Sequence, residues 1–301
     1  VVAVVYRYTD YSRFIIERLN VNEYFSFQGI TSIDEAQKLL RAGKVDAVLI
    51  MRTEAAGLKS QIIVDASNTT IAQSATAYIQ GVINGNVADT PIITSTLYNP
   101  QLKSSYNFVP GIMGMIFILI CAIMTSVSIV REKENGTMAL LLVSPVKFRT
   151  IILGKLVPYF LLSCIILAVM LFISYTLLGL PLSVSIFSVI LISVIYILLS
   201  LSLGLLVSTI VNSQLTALIV SAGILMLPVI MLSGMIFPVD NMPVVLQWIS
   251  SIVPARWYIE AMRKLMIQQL GIGYVIQELI ILISMTIGLL LLSIKIFKTG
   301  K

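Results

Sequence analysis

The chain has 301 residues, a net charge of +6, 58% hydrophobic residues and only 11% charged ones. With a mean hydropathy of +0.98, it lies far above the roughly 45–50% apolar content of soluble domains, which excludes a wholly soluble protein. The absence of histidine excludes His-based acid–base chemistry, His-containing triads and His metal ligation. Residues 1–107 balance acids against bases, so the positive excess resides in 108–301, and the chain reads as a soluble segment followed by a membrane domain.

Residues 1–5 are a β-branched run, far short of the ~20 apolar residues a bilayer crossing needs, and read as a strand. Phe14, Ile15 and Leu19 follow at helical spacing. Ser32 and Glu35 match a capping box ahead of a helix whose apolar face is Ala36, Leu39 and Leu40, with Gly43 as its stop. Residues 46–51 and 61–65 read as strands, 69–83 as a helix and 92–98 as a final strand. Residues 1–107 are thus expected to form a small α/β domain. Asp65, Ser67 and Asn68 at a strand end suggest either an anion site at a helix terminus or a capped turn, the commoner arrangement.

The membrane half, 108–301, contains five apolar stretches long enough to cross: 108–130, 151–178, 184–210, 215–237 and 275–297. Pro110 suits the first turn of the first. Cys121 and Cys164 lie inside such runs and read as small core residues, not as a disulfide or metal pair. Thr125, Ser126, Ser163, Ser193, Tyr196 and Ser200 are scattered hydroxyls that fit either a substrate path or close helix packing. Arg131, Lys133, Lys147, Arg149 and Lys155 in one connection and Lys295, Lys298 and Lys301 in the tail place both on the cytoplasmic side. Residues 1–107 and 238–274 then fall outside. An external domain feeding an inward span requires an earlier outward one, so six spans are expected natively, with a cleaved export signal as the alternative.

Residues 238–274 are more than a plain loop. Pro238, Pro243 and Pro254 punctuate two amphipathic stretches, 244–252 and 255–270, which hold the chain's two tryptophans, Trp248 and Trp257. Trp favours the headgroup level, and Glu260 pairs with Lys264 at i,i+4, one turn after Arg256. Two short helices lying at, or dipping into, the outer leaflet are expected, either as an interfacial anchor or as an outer gate formed by Pro238, Trp248, Pro254, Arg256, Trp257 and Glu260.

The charged connection, 131–150, carries the most information. The first span should continue through Arg131-Glu132-Lys133-Glu134 and stop at Asn135-Gly136, where glycine tolerates a left-handed cap. Thr137 can then cap a short helix, 138–143, that Pro145 ends. That helix would display Met138, Leu141 and Leu142 in the cytosol, and apolar residues so placed require a partner.

Arg131 to Thr137, followed by Leu140-Leu141-Leu142-Val143-Ser144-Pro145, closely resembles the R-E-x-E-x-G-T…L-L-V-[ST]-P signature of type-2 ATP-binding-cassette (ABC) exporter permeases of the multidrug-efflux kind. Leu232 to Pro238 with Met242-Pro243, and Pro254-Ala255-Arg256-Trp257, resemble the same family in the same order. The resemblance implies a coupling helix docked on a separate ATP-hydrolysing subunit, which binds ATP and Mg. Arg131, Glu132, Glu134, Gly136 and Thr137 would hold signature positions, with Met138, Leu141 and Leu142 in the contact face. It further implies a second permease copy, identical or paralogous, contact with membrane lipid but not nucleic acid, and a bacterial cytoplasmic membrane location. Ala139 departs from the family's usual Glu. Consistent with that division of labour, neither Gly43-Lys44 nor Gly154-Lys155 has the preceding glycine of a phosphate loop. The expected function is a non-enzymatic exporter subunit without cofactor, metal or catalytic residue of its own; the alternative is a multi-span receptor whose external domain binds a ligand.

Overall fold

The computed structural model describes residues 2–5, 10–21, 27–42, 44–54, 57–84, 92–99, 102–137, 148–181, 183, 185–239 and 242–299. The expected stop at Gly43, and Met138, Leu141, Leu142 and Pro145 of the expected coupling helix, lie outside them. The chain divides into two compact units, Val1–Asn107 and Phe108–Lys301.

In the first unit, strands β1 (Val2–Val5), β2 (Ala47–Glu54), β3 (Gly57–Asp65) and β4 (Ile92–Leu97) form one sheet in the order β1-β2-β3-β4. β1 runs parallel to β2, β2 antiparallel to β3, and β3 parallel to β4. The two parallel pairs are joined through helices, as parallel crossovers require: α1 (Asp10–Val21) and α2 (Ile33–Arg41) lie between β1 and β2, and α3 (Thr69–Asn84) between β3 and β4. Alternation along β2 sends Ala47, Leu49 and Met51 into a core with Ile15, Leu19, Ala72, Ile79 and Ile83, while Val48 and Ile50 pack with Ala36 and Leu40. Both sheet faces are therefore covered, by α1 and α3 on one side and α2 on the other. The Ser32 hydroxyl accepts the Glu35 amide as the capping box requires.

Two readings sharpen in this unit. β2 and β3 run beyond 46–51 and 61–65 because Arg52, Thr53 and Glu54 pair with Lys59, Leu58 and Gly57, extending the hairpin past its apolar core. The anion-site alternative is displaced by the capped turn: Asp65 accepts the Ser67 amide at 2.8 Å, and the Asn68 side chain accepts the amides of Thr70 and Ile71. Those are the donors an anion would need.

Among the described residues five helices are long and apolar enough to span a membrane: Tyr106–Glu134, Thr150–Thr176, Ile186–Ile210, Gln214–Leu232 and Ile276–Ser293. They belong to helices α4 (Ser104–Glu134), α5 (Phe148–Thr176), α6 (Ile186–Ile210), the α7 (Gln214–Ile219) and α8 (Leu225–Leu232) pair, and α11 (Ile276–Thr299). Because α4 begins at Ser104, Pro110 sits inside the helix and not in its first turn. The fourth span differs most from expectation. A π-helical turn, Val220–Ile224, separates α7 from α8, and the helix ends at Leu232 instead of 237. Pro228, which has no amide to donate to the Ile224 carbonyl, follows the widened turn inside α8. Gly234 then takes φ +79, a left-handed exit.

Close packing rests on small residues. A Cβ on Gly204 of α6 would stand 2.6 Å from the Ala122 carbonyl of α4, so only glycine permits that approach. Hydroxyls expected either to line a path or to bind helices together are all buried. Ser126 bonds Ser221 at 2.9 Å, Ser163 bonds Cys121 at 3.1 Å and Ser193 bonds Tyr258 at 3.1 Å. Tyr196 donates to the Gly114 carbonyl at 3.0 Å and Ser200 to the Tyr196 carbonyl at 2.8 Å. Of these six, the buried Thr125 hydroxyl alone has no partner among the described residues. The other five are taken up in bonds within and between helices.

The connection between the fourth and fifth spans holds α9 (Val244–Ile252) and α10 (Pro254–Met266). α9 turns Val244, Val245, Trp248 and Ile252 outward. α10 does the reverse, burying Tyr258, Ile259, Ala261, Met262, Leu265 and Met266. Tyr258 stacks on Tyr196, with ring centroids 4.2 Å apart. Tyr196 lies ten residues into α6, about 15 Å from its start at 1.5 Å per residue. α10 is therefore packed inside the helical bundle, against the interior of α6.

Candidate functional site

Two polar clusters occupy opposite ends of the helical unit. At one end, the last turn of α4 is fastened to the three spans that follow it. Lys155 of α5 pairs with Glu132 at 2.8 Å, and the Thr137 hydroxyl also donates to that carboxylate. The Lys133 ammonium donates to the Ser208 carbonyl near the end of α6, a site where a cation meets the negative end of a helix. Glu134 Oε2 accepts both the backbone and the side-chain amide of Gln214, each at 3.0 Å. Gln214 opens α7, and its backbone amide has no acceptor within the helix. Arg131 Nε donates to the Gln214 side-chain oxygen at 3.3 Å.

Gly136 closes this end of α4. Its φ of +74 and the bond from its amide to the Lys133 carbonyl at 3.1 Å form the left-handed stop. Among the described residues no atom lies within 4 Å of where its Cβ would stand, and its positive φ is what demands glycine here. Arg131, Glu132, Glu134, Gly136 and Thr137 are thus brought together. Their carboxylates bond neighbouring helices, Glu132 at Lys155 and Glu134 at Gln214. Gln214, Ser208 and Lys155 complete the cluster. Nothing in the sequence announces Gln214 as a partner, because 80 residues separate it from Glu134.

At the other end, α10 is the centre. Arg256 Nη1 donates to the Gln247 carbonyl at 3.2 Å and to the Ser251 hydroxyl at 3.0 Å, and its guanidinium lies 5.0 Å from the Trp257 ring centroid. Trp257 Nε1 donates to the Ser251 carbonyl at 3.0 Å, and Pro254 opens α10. Arg256, Trp257 and Pro254 therefore build the corner between α9 and α10. Pro238 is buried, and Trp248, 74% exposed, stands apart from the corner. Glu260 faces Lys264 at 3.2 Å, as its spacing predicts.

Sequence spacing does not reveal the remaining ties. Lys264 reaches the buried Glu278 of α11 at 2.5 Å. Arg263 donates to the Gly234 carbonyl at 3.3 Å, and the Ser183 hydroxyl to the Leu265 carbonyl at 2.6 Å. Three successive residues of α10 thereby hold the ends of three other segments. Burial pushes the Lys264 ammonium down, but the hydrogen bond to Glu278 and the charges of Glu260 and Glu278 outweigh it, and its pKa stands above the ordinary lysine value. Among the described residues no group of three or more His, Cys, Asp or Glu could hold a metal ion.

The family described as ABC-2 family transporter protein matches residues 1–295. The chain is 31% identical over 291 residues to the probable multidrug ABC transporter permease YbhS of Escherichia coli K12, covering 88% of this chain and 77% of that protein. It is 30% identical over 240 residues to the probable multidrug ABC transporter permease YbhR of the same organism, with 76% and 65% covered. With the E. coli inner membrane transport permease YhhJ it shares 26% identity over 241 residues, with 74% and 63% covered.

Proposed function

The chain belongs to the ABC-2 transporter family as a multi-pass membrane permease, and on that premise we propose that it exports an amphipathic substrate using ATP hydrolysed by a separate subunit. The observation that carries the reading is the convergence of Arg131, Glu132, Lys133 and Glu134 on the ends of three other spans, directly before residues 138–142. Force applied to a helix at 138–142 would enter all four spans at once.

In this reading the connection 131–150 and the C-terminus face the cytoplasm, and Met138, Leu141 and Leu142 seat in the ATPase, which holds ATP and Mg. Residues 1–107 and the 238–274 segment are extracytoplasmic. A second permease copy, identical or paralogous, completes the path, and Pro238, Trp248, Pro254, Arg256, Trp257 and Glu260 belong to its outer closure. The name of YhhJ supports the bacterial inner membrane, and the names of YbhS and YbhR support a multidrug-type cargo.

The test is purification of the tagged chain from its native membrane. An ATPase subunit should accompany it, with ATP turnover that falls on Leu141→Asp or Gly136→Pro. In inverted vesicles the wild-type assembly should accumulate a lipophilic dye only with ATP. Absence of an accompanying ATPase, or indifference of turnover to both substitutions, overturns the reading.

A further inference from the structure

We propose that Glu134 and Gln214 form a relay that carries movement of the 131–150 connection into the fourth span, which yields at its Val220–Ile224 π turn. The inference rests on the coupling reading above and adds the route by which movement leaves the connection.

Three ties leave the end of α4, and they differ in stiffness. Lys155 meets Glu132 through one ammonium on a four-carbon stem, a compact charge that tolerates displacement. Lys133 meets a single carbonyl of α6. Glu134 instead holds Gln214 by two bonds to one carboxylate oxygen, one of them to the backbone amide, while Arg131 holds the far side of the same amide group. A displacement of Glu134 therefore moves the backbone of the fourth span and not merely a side chain.

The fourth span is built to respond unevenly. α7 is anchored to α4 and α6 through Ala217, which packs with Val130, Val207 and Val211. α8 is anchored at its far end, where Ser250 donates to the Leu232 carbonyl at 2.6 Å. Between these anchors lies the π turn, followed by Pro228, with Gly223 in open space. The regular i→i−4 ladder is interrupted there; Ser221 bonds Ser126 of α4 at 2.9 Å, and Val220 packs against the Val130, Val207 and Ala217 cluster. Gln214 and Ser221 thus act as positioning residues: one receives the movement and the other marks where it is absorbed.

The test is amide hydrogen exchange on the complete assembly in nanodiscs, nucleotide-free against ATP plus vanadate, for wild type, Gln214→Leu, Gln214→Glu and the swapped pair Glu134→Gln/Gln214→Glu. Wild type should show nucleotide-dependent exchange in both 131–137 and 214–224. Both single substitutions, which remove the side-chain half of the contact and leave the backbone amide, should keep the first response and weaken the second, and the swapped pair, which rebuilds an amide–carboxylate contact, should restore it. If a single substitution prevents assembly, restoration in the swapped pair alone supports the relay and failure to restore overturns it. A 214–224 response undiminished by both single substitutions also overturns it. No response at 131–137 in wild type would sink the coupling reading itself, and the relay with it.

Discussion

Tyr258 of α10 stacks on Tyr196 of α6 with ring planes 11° apart, and both side chains are fully buried. Phe117 of α4 forms a T-shaped pair with the Tyr258 ring, centroids 6.2 Å apart, and Ser193 bonds the Tyr258 hydroxyl. A segment between two spans is thereby held inside the bundle by aromatic packing, with the Tyr258 hydroxyl bonded as a low-dielectric interior demands. Tyr258→Ala should destabilise the protein by about 3–5 kcal/mol, the usual cost of deleting a buried ring. Tyr258→Phe, which loses only the hydroxyl bond, should cost about 1 kcal/mol. Thermal unfolding in detergent, followed by near-UV circular dichroism, measures both; equal losses would assign the energy to the hydrogen bond and not the stack.

Lys264 and Glu278 supply a second prediction. Glu278 is only 2% exposed, so Lys264→Met strands a buried carboxylate and should cost about 3–5 kcal/mol, whereas Lys264→Met/Glu278→Met should recover most of that loss. A single substitution as mild as the double one would show that the pair contributes little.

The raised Lys264 pKa gives that pair a pH signature. A lysine whose folded-state pKa lies above its unfolded value contributes stability that is fully present below the unfolded value and lost as pH rises through the folded one. Stability conferred by Lys264 should therefore be flat through neutral pH and decline only above the ordinary lysine range. Midpoints of chemical unfolding across alkaline pH should fall more steeply for wild type than for Lys264→Met/Glu278→Met.

Gly204 and Gly136 are both demanded, for different reasons. At Gly204 an added Cβ meets the Ala122 backbone at 2.6 Å and the Thr125 Cβ at 2.8 Å, so Gly204→Ala should force α4 and α6 apart at about 1–3 kcal/mol. At Gly136 space is open but φ is +74, so Gly136→Ala should cost about 1–2 kcal/mol, and Gly136→Asn less, because Asn enters left-handed conformations more readily. Thermal midpoints of the four proteins, wild type included, rank these effects; Asn destabilising more than Ala would contradict the conformational account.

The one-dimensional features of this protein are determined by its sequence alone. Span positions follow from about 20 consecutive apolar residues, the stop after Glu134 from a glycine free to adopt positive φ, and the α2 start from Ser32 facing Glu35 three residues on. Each is a local rule acting within one or two helical turns. The family, too, is legible, because its motifs are short contiguous strings. The tertiary structure decided what depends on distant partners. It set Glu134 against Gln214, Lys264 against Glu278 and Tyr258 against Tyr196. It also turned the amphipathic face of α10 toward protein, whereas periodicity reports only that a face is apolar and not what covers it. The π turn was hidden for the same reason: an apolar run of 215–237 has the composition of an unbroken helix, and only the packing of its two halves against different neighbours reveals where it breaks.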